Sequence, residues 1–442
     1  MHISAHLDVD VLAVETDDQV SVMVELTAPP APASADDAPR PQRTLEIVLD
    51  RSGSMSGGRL DGAKAAILRL IDRLDPSDNF GLVAFDHEVE LVVPAGPLTD
   101  KVAVRAAVSA LYARGNTNLS AGYLRGLQEA RRVAGGAGAT LLLVSDGHAN
   151  DGVTDPGTLE GVAAEARGHG VITSSLGYGL GYDEKIMSAL ARGGAGSELF
   201  AEEPDTAAAL IAGEVEGLLA QTAQAASVQI RLAPTVRQVQ VINELPVTST
   251  GTVILAELGN FYADETRKVL LLFDVPGIAA LGLAEIATLE FTWVELPALK
   301  QHSVSVPLHV NVVPGDAAAQ RIPDPVVRSE LVYLRVQQAK RRASTDLSAG
   351  RPQDALAHIA EAEQAVARAI AEGVPERYAA DLAEESSSLA YLRAQTEQGE
   401  LSRAAKYSSM DSYSKSSKRG RSMPSSVPPP QQPQSPPPTP QL

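Results

Sequence analysis

The chain contains no cysteine and, across 442 residues, one tryptophan and six phenylalanines. Without thiols it forms no disulfides, no thiolate metal sites and no cysteine nucleophile, a composition that suits a reducing compartment. Long apolar runs are missing too: none approaches the ~20 residues that a membrane-spanning helix requires. The opening MHISAHLDVDVLAVE has no basic stretch followed by an apolar one, so no secretory signal is expected and a cytoplasmic location is. Positive charge is scarce, with a formal net charge of -18. It outweighs negative charge toward the end, where residues 402–442 hold Arg403, Lys406, Lys415, Lys418, Arg419 and Arg421 against only Asp411. The rest of the chain is therefore more acidic still, which argues against a nucleic-acid partner, because phosphate backbones call for clustered Lys and Arg.

Apolar content of 44% is ample for globular cores, and the length calls for two or three of them. Residues 1–28 alternate apolar and polar side chains, the period of half-buried strands. Residues 29–43 (PPAPASADDAPRPQR) are a Pro/Ala/Asp linker. From 44 to 221, near-continuous apolar runs such as TLEIVLD, FGLVAFD and ATLLLVSD alternate with helical periodicities. That pattern specifies a doubly wound, mostly parallel α/β sheet. Alternation returns over 222–315, and these strands together with those of 1–28 predict one β-sandwich built from both flanks, with the α/β domain inserted in it. Residues 324–398 read as a bundle of three helices. The segment 402–442 is Ser-rich and basic, then Pro-rich, and is expected to be a disordered tail. The fold class is thus multidomain: α/β, all-β and all-α parts.

Residues 49–64, LDRSGSMSGGRLDGAK, place Asp50, Ser52 and Ser54 two residues apart, directly after an apolar strand. A helix-capping turn uses the same residue types, and a phosphate loop is ruled out because no Lys-Ser or Lys-Thr pair follows the glycines. One carboxylate and two hydroxyls also suit a hard cation such as Mg²⁺, which prefers oxygen ligands and dehydrates reluctantly. Three side chains cannot complete such a shell. RGNTNLSAG supplies Thr117 before a helix, and LLLVSDGHAND ends a further strand at Asp146, so three loops present oxygens at one edge of one sheet.

This combination resembles the metal-ion-dependent adhesion site of von Willebrand factor type A (VWA) domains, as found in bacterial VWA proteins and in inter-alpha-trypsin-inhibitor heavy chains. LGNFYADETRKVLLLFDVPG resembles the strand pair that follows the domain in those proteins. The resemblance implies that Asp50, Ser52, Ser54, Thr117 and Asp146 hold Mg²⁺, or Mn²⁺, with one position open for a partner's Asp or Glu. Met55, Asn118, His87 and His148 are the residues expected against that partner. It further implies a protein-interaction function and not an enzyme, with an AAA-type ATPase as one partner. Two alternatives stand beside it, a metal-dependent hydrolase and a scaffold whose metal only stabilises the fold. Against the hydrolase, the sequence has no H-E-x-x-H, no G-x-S-x-G and no second set of metal carboxylates.

Overall fold

The computed structural model describes residues 1–30, 42–296 and 298–417. Strands β1 (His2–Leu7), β2 (Val11–Ala13) and β3 (Asp18–Thr27) open the chain. The α/β part follows as β4 (Thr44–Asp50), α1 (Arg59–Arg73), β5 (Asn79–Phe85), β6 (Val89–Pro97), α2 (Lys101–Ser109), α3 (Leu119–Val133), β7 (Ala139–Ser145), α4 (Pro156–Gly168), β8 (Val171–Tyr178), α5 (Glu184–Gly193), β9 (Ala195–Ala201) and α6 (Pro204–Leu219). Its strand order is β6-β5-β4-β7-β8-β9, parallel throughout except for β6.

Every residue of β4, β5 and β7 is buried, because helices cover both faces of the sheet, and this is why those strands read as unbroken apolar runs. Helix α1 turns Leu60, Ala63, Ile67, Leu70 and Ile71 inward at three- and four-residue spacing. Within the α/β part, side-chain caps start four of the described helices: Asp100 for α2, Asn118 for α3, Asp155 for α4 and Asp183 for α5. Each accepts a first-turn N–H that would otherwise lack a partner.

Seven further strands, β10 (Gln221–Leu232), β11 (Gln238–Val241), β12 (Val247–Thr250), β13 (Val253–Tyr262), β14 (Thr266–Val275), β15 (Gly282–Glu295) and β16 (Lys300–Val313), combine with the first three. They make a sheet ordered β1-β3-β14-β11 and another ordered β12-β13-β10-β15-β16-β2. Val22, Val24 and Leu26 from β3 share one core with Val228, Ile230, Phe273, Leu289 and Phe291, so both flanks of the α/β part contribute to the same apolar interior.

The last part departs from expectation. After the short α7 (Gly315–Ala318), helices α8 (Pro325–Ser348), α9 (Pro352–Glu372) and α10 (Glu376–Glu397) are followed by a fourth long helix, α11 (Leu401–Ser417). A disordered tail was expected from Ser402; residues 402–417 are instead helical and mostly buried, while 418–442 lie outside the described residues. Arg403 pairs with Glu202 at 2.8 Å, Lys406 with Glu184, and Met410 enters the core beside Phe200. Polar composition marks disorder only when the charges lack partners; here partners wait on the α/β domain.

Candidate metal centre

The path of the chain reverses at β4. From β4 it moves outward to β5 and β6, then returns to lay β7 on the other side of β4. The loops leaving β4 and β7 diverge there, opening a crevice at their carboxyl ends. Asp50 is the last residue of β4, and Asp146 directly follows β7. Two carboxylates are thereby set side by side at the ends of adjacent, fully buried strands.

Asp50, Ser52 and Ser54 form one connected set with Ser145 and Asp146. Asp50 Oδ1 accepts the Ser52 N–H at 2.7 Å, and its Oδ2 accepts from Ser145 Oγ at 2.6 Å. Ser52 Oγ lies 3.0 Å from Ser54 Oγ, which donates to Asp146 Oδ1 at 2.6 Å. Thr117 enters from the third loop. A Cβ built on Gly147 would stand 3.1 Å from Thr117 Oγ1 and 3.4 Å from Ser54 Oγ, so these two hydroxyls flank one glycine and a side chain there would crowd both. Asp50, Ser52, Thr117 and Asp146 are buried and Ser54 is exposed, which leaves the set open on one side.

Neighbouring loops are fastened to keep this arrangement. Gly53 N–H donates to Gly115 O at 3.1 Å, and the Thr117 and Asn150 loops exchange bonds of 3.2 and 3.3 Å. Asp86, at the end of β5, is buried and accepts from Arg51 Nε at 2.8 Å and Arg114 Nε at 3.0 Å. Burial pushes its carboxyl up, but the Glu88 N–H and the two guanidinium groups outweigh it, and the net shift is downward. Asp86 and Arg51 had not been picked out from the sequence; they matter as the pair that clamps the first loop to the third.

Asp50 is in a different state. Burial, with Asp146 adding to it, raises its carboxyl to about 6 despite the hydrogen bonds from Ser145 and Ser52. Among the described residues, Arg59 alone forms an ion pair with either of these two aspartates, through Asp146 at 2.6 Å. Two carboxylates and three hydroxyls, all oxygen and one positive charge short of neutrality, fit a hard divalent cation better than a soft one.

The four residues expected to face a partner divide. Met55 is fully buried in the core beneath the loop, which corrects its assignment: the 3-10 turn over Gly53–Met55 rotates it inward, so it supports the loop from below. Asn118 caps α3 through Ala121 N at 3.1 Å and also reaches Asp151, a structural duty. His87 and His148 are exposed, His87 bonded to Asp86 at 2.8 Å and His148 lying 3.7 Å from Asp183.

Residues 45–212 match the family model of the von Willebrand factor type A domain. The chain carries a VWA domain. An uncharacterized protein of Synechocystis, sll0103, is 28% identical over 268 residues, 58% of this chain and 63% of its own length. The uncharacterized YfbK of Escherichia coli is 29% identical over 198 residues, 44% of this chain and 34% of its own length. Human inter-alpha-trypsin inhibitor heavy chain H4 is 27% identical over 159 residues, 34% of this chain and 17% of its own. This chain therefore spans less than two thirds of each of these relatives. Among solved structures, a von Willebrand factor type A protein from Catenulispora acidiphila superposes with a TM-score of 0.70 at 17% identity, covering 95% of this chain and 97% of its own. The ArnB paralog VWA2 from Sulfolobus acidocaldarius gives 0.62 at 17% identity, with 93% and 98% covered. At such identities the likeness is one of fold, and it extends beyond the VWA domain to the sandwich and helices around it.

Proposed function

We propose that this is a bacterial, cytoplasmic protein-interaction protein whose VWA domain captures an Asp or Glu of a partner protein through a bound divalent ion, Mg²⁺ or Mn²⁺. Asp50, Ser52, Ser54, Thr117 and Asp146 hold the ion, directly or through water, and the ion supplies an electrophilic centre for the incoming carboxylate. The observation that carries this reading is the charge imbalance of a buried, all-oxygen cluster, with two aspartates and one guanidinium. Placement supports it further, since the cluster stands at the strand ends where α/β sheets bind ligands. The protein part is to orient. Ser145 and the Ser52 N–H fix Asp50, the Arg51–Asp86 pair fixes the loop, and His87 and His148 are exposed on the loops that follow β5 and β7. An AAA-type ATPase is one partner that such a site would serve. Among the described residues no helix is long and apolar enough to cross a membrane.

The test is Asp50→Asn, followed by thermal melts with Mg²⁺ or EDTA. A ligand at a hundredfold its Kd stabilises the native state by about 2.7 kcal/mol. The wild type should show a rise in Tm with Mg²⁺, and Asp50→Asn none. A rise of equal size in both proteins would place any ion elsewhere.

A further inference from the structure

The sequence LDRSGSMSGGRLDGAK contains a charged residue that lies outside the proposed ligand set yet bonds to one of its members. Arg59 begins α1 and reaches back over the site, where Nη1 donates to Asp146 Oδ2 at 2.6 Å and lies 3.4 Å from the Ser54 carbonyl. Its seat is built by another loop. Gly179 follows β8 with φ of +76, and a Cβ there would come within 2.9 Å of Arg59 Nη2 and 3.1 Å of its Cζ. A side chain at 179 would be strained by its backbone and would push the guanidinium away from Asp146. The Gly179 N–H is held to Ala201 O at 2.7 Å, which anchors the seat to the sheet.

Two features give this arginine more than a structural part. Among the described residues its bonded acceptors are Asp146 and the Ser54 carbonyl, both reached by Nη1, so the donors on Nε and Nη2 are free. The side chain is also 38% exposed, so solvent reaches it beside the buried Asp146. A guanidinium presents its donors as a planar fork suited to a carboxylate.

We propose that Arg59 couples the two binding events of this site, weakening the hold on a metal ion alone and strengthening it when a carboxylate is present. This rests on the reading of the site as a metal centre. An arriving divalent ion must share Asp146 with a fixed positive charge, and the two cations repel. A carboxylate that enters beside them is attracted by both and accepts from the free donors of Arg59, so the repulsion is offset only in the ternary state. Linkage makes the effect reciprocal: the ion raises the affinity for the carboxylate by the same factor that the carboxylate raises the affinity for the ion. The site would thus hold a metal ion more weakly alone than with an acidic side chain of a partner beside it.

The experiment uses the full chain, with Mn²⁺ binding followed by the loss of the free-ion electron paramagnetic resonance signal, with and without acetate as the carboxylate probe. In the wild type acetate should tighten Mn²⁺ binding, within the roughly 5- to 150-fold range of ordinary coupling. Arg59→Gln should bind Mn²⁺ about tenfold tighter without acetate and lose most of the enhancement. Arg59→Lys keeps the charge but not the fork, and should bind Mn²⁺ like the wild type while responding less to acetate. Circular dichroism in EDTA shows that each variant is folded. Equal Mn²⁺ affinities and equal acetate responses in wild type and Arg59→Gln would overturn the coupling while leaving the metal centre intact. Absence of Mn²⁺ binding in the wild type both with and without acetate would overturn both.

Discussion

Two buried charge clusters in this chain are built to opposite rules. Between α8, α10 and α11, Lys340 Nζ donates to Asp411 at 2.7 Å and also to Glu385, while Lys415 Nζ donates to Glu385 at 2.7 Å and Asp411 at 3.2 Å. Lysines and buried carboxylates match one to one, and although burial opposes ionisation, the two ammonium groups hold both carboxyls below their usual range. At the ends of β4 and β7 the count does not close: among the described residues, Arg59 is the one cation paired with the two aspartates, and it pairs with Asp146. The closed cluster has everything it needs and acts as a fastener between helices. The open one is left short of a positive charge on the side where Ser54 is exposed, and that shortfall is why we propose it as a binding site.

The largest effect is expected from breaking the closed cluster. Lys340→Met leaves Glu385 and Asp411 with only Lys415 between them, and removing one member of a buried pair costs about 3–5 kcal/mol. Urea denaturation, followed at the helical transition, should show that loss. Adding Asp411→Leu restores the one-to-one count between Lys415 and Glu385, and should recover most of it. If Lys340→Met is as stable as the wild type, the balance of charges is not what holds α11 in place.

A buried carboxyl outside both clusters solves the same problem without a partner. Glu46, in the middle of β4, has no hydrogen-bond partner among the described residues for either oxygen, and Gly81 and Gly126 give it room. Burial first, and the nearby Glu129 second, raise it to about 9, so it keeps its proton at neutral pH. The folded state then binds a proton that the unfolded chain has released. Stability is fullest below about 4.5 and declines as pH rises toward 9, by at most about 1.4 kcal/mol per pH unit. Glu46→Gln, neutral at every pH, should flatten that decline and be more stable than the wild type by about 2–3 kcal/mol at pH 8. Parallel declines in wild type and variant would show that another group is responsible.

How much of this was legible in the sequence follows from where each feature stores its information. The α/β domain declares itself locally, because a strand buried on both faces must be apolar along its whole length, as TLEIVLD and ATLLLVS are. The five proposed ligands were legible as well, since Asp50 and Asp146 fall where apolar runs stop and Thr117 stands two residues before the first residue of α3. Helix α11 was not. LSRAAKYSSMDSYSKSS has the composition of a disordered segment, and its burial depends on Glu202, Glu184 and Glu198, some 200 residues away in the chain. Met55 belongs to the motif, but its inward turn depends on a 3-10 geometry that no periodicity announces. Arg59 was in view from the start, yet its role depends on Gly179 at the end of a different strand.

The smallest effect sharpens the boundary between centre and rim. His148 follows Asp146 by two residues, and a histidine beside a carboxylate pair is the obvious rival ligand. Its side chain is 70% exposed, however, and its one ion-pair contact, Asp183 Oδ2, lies 3.7 Å from Nδ1, outside hydrogen-bonding range. Such a contact contributes little in water. His148→Ala should change stability by less than about 0.5 kcal/mol and leave Mn²⁺ affinity unaltered. A partner that covers the opening would still sense the missing ring, so its affinity should fall with no change in the affinity for the ion. Should Mn²⁺ binding weaken tenfold instead, His148 would join the ligand set, and the contrast would no longer lie between an open cluster and a closed one but between an oxygen site and a mixed one.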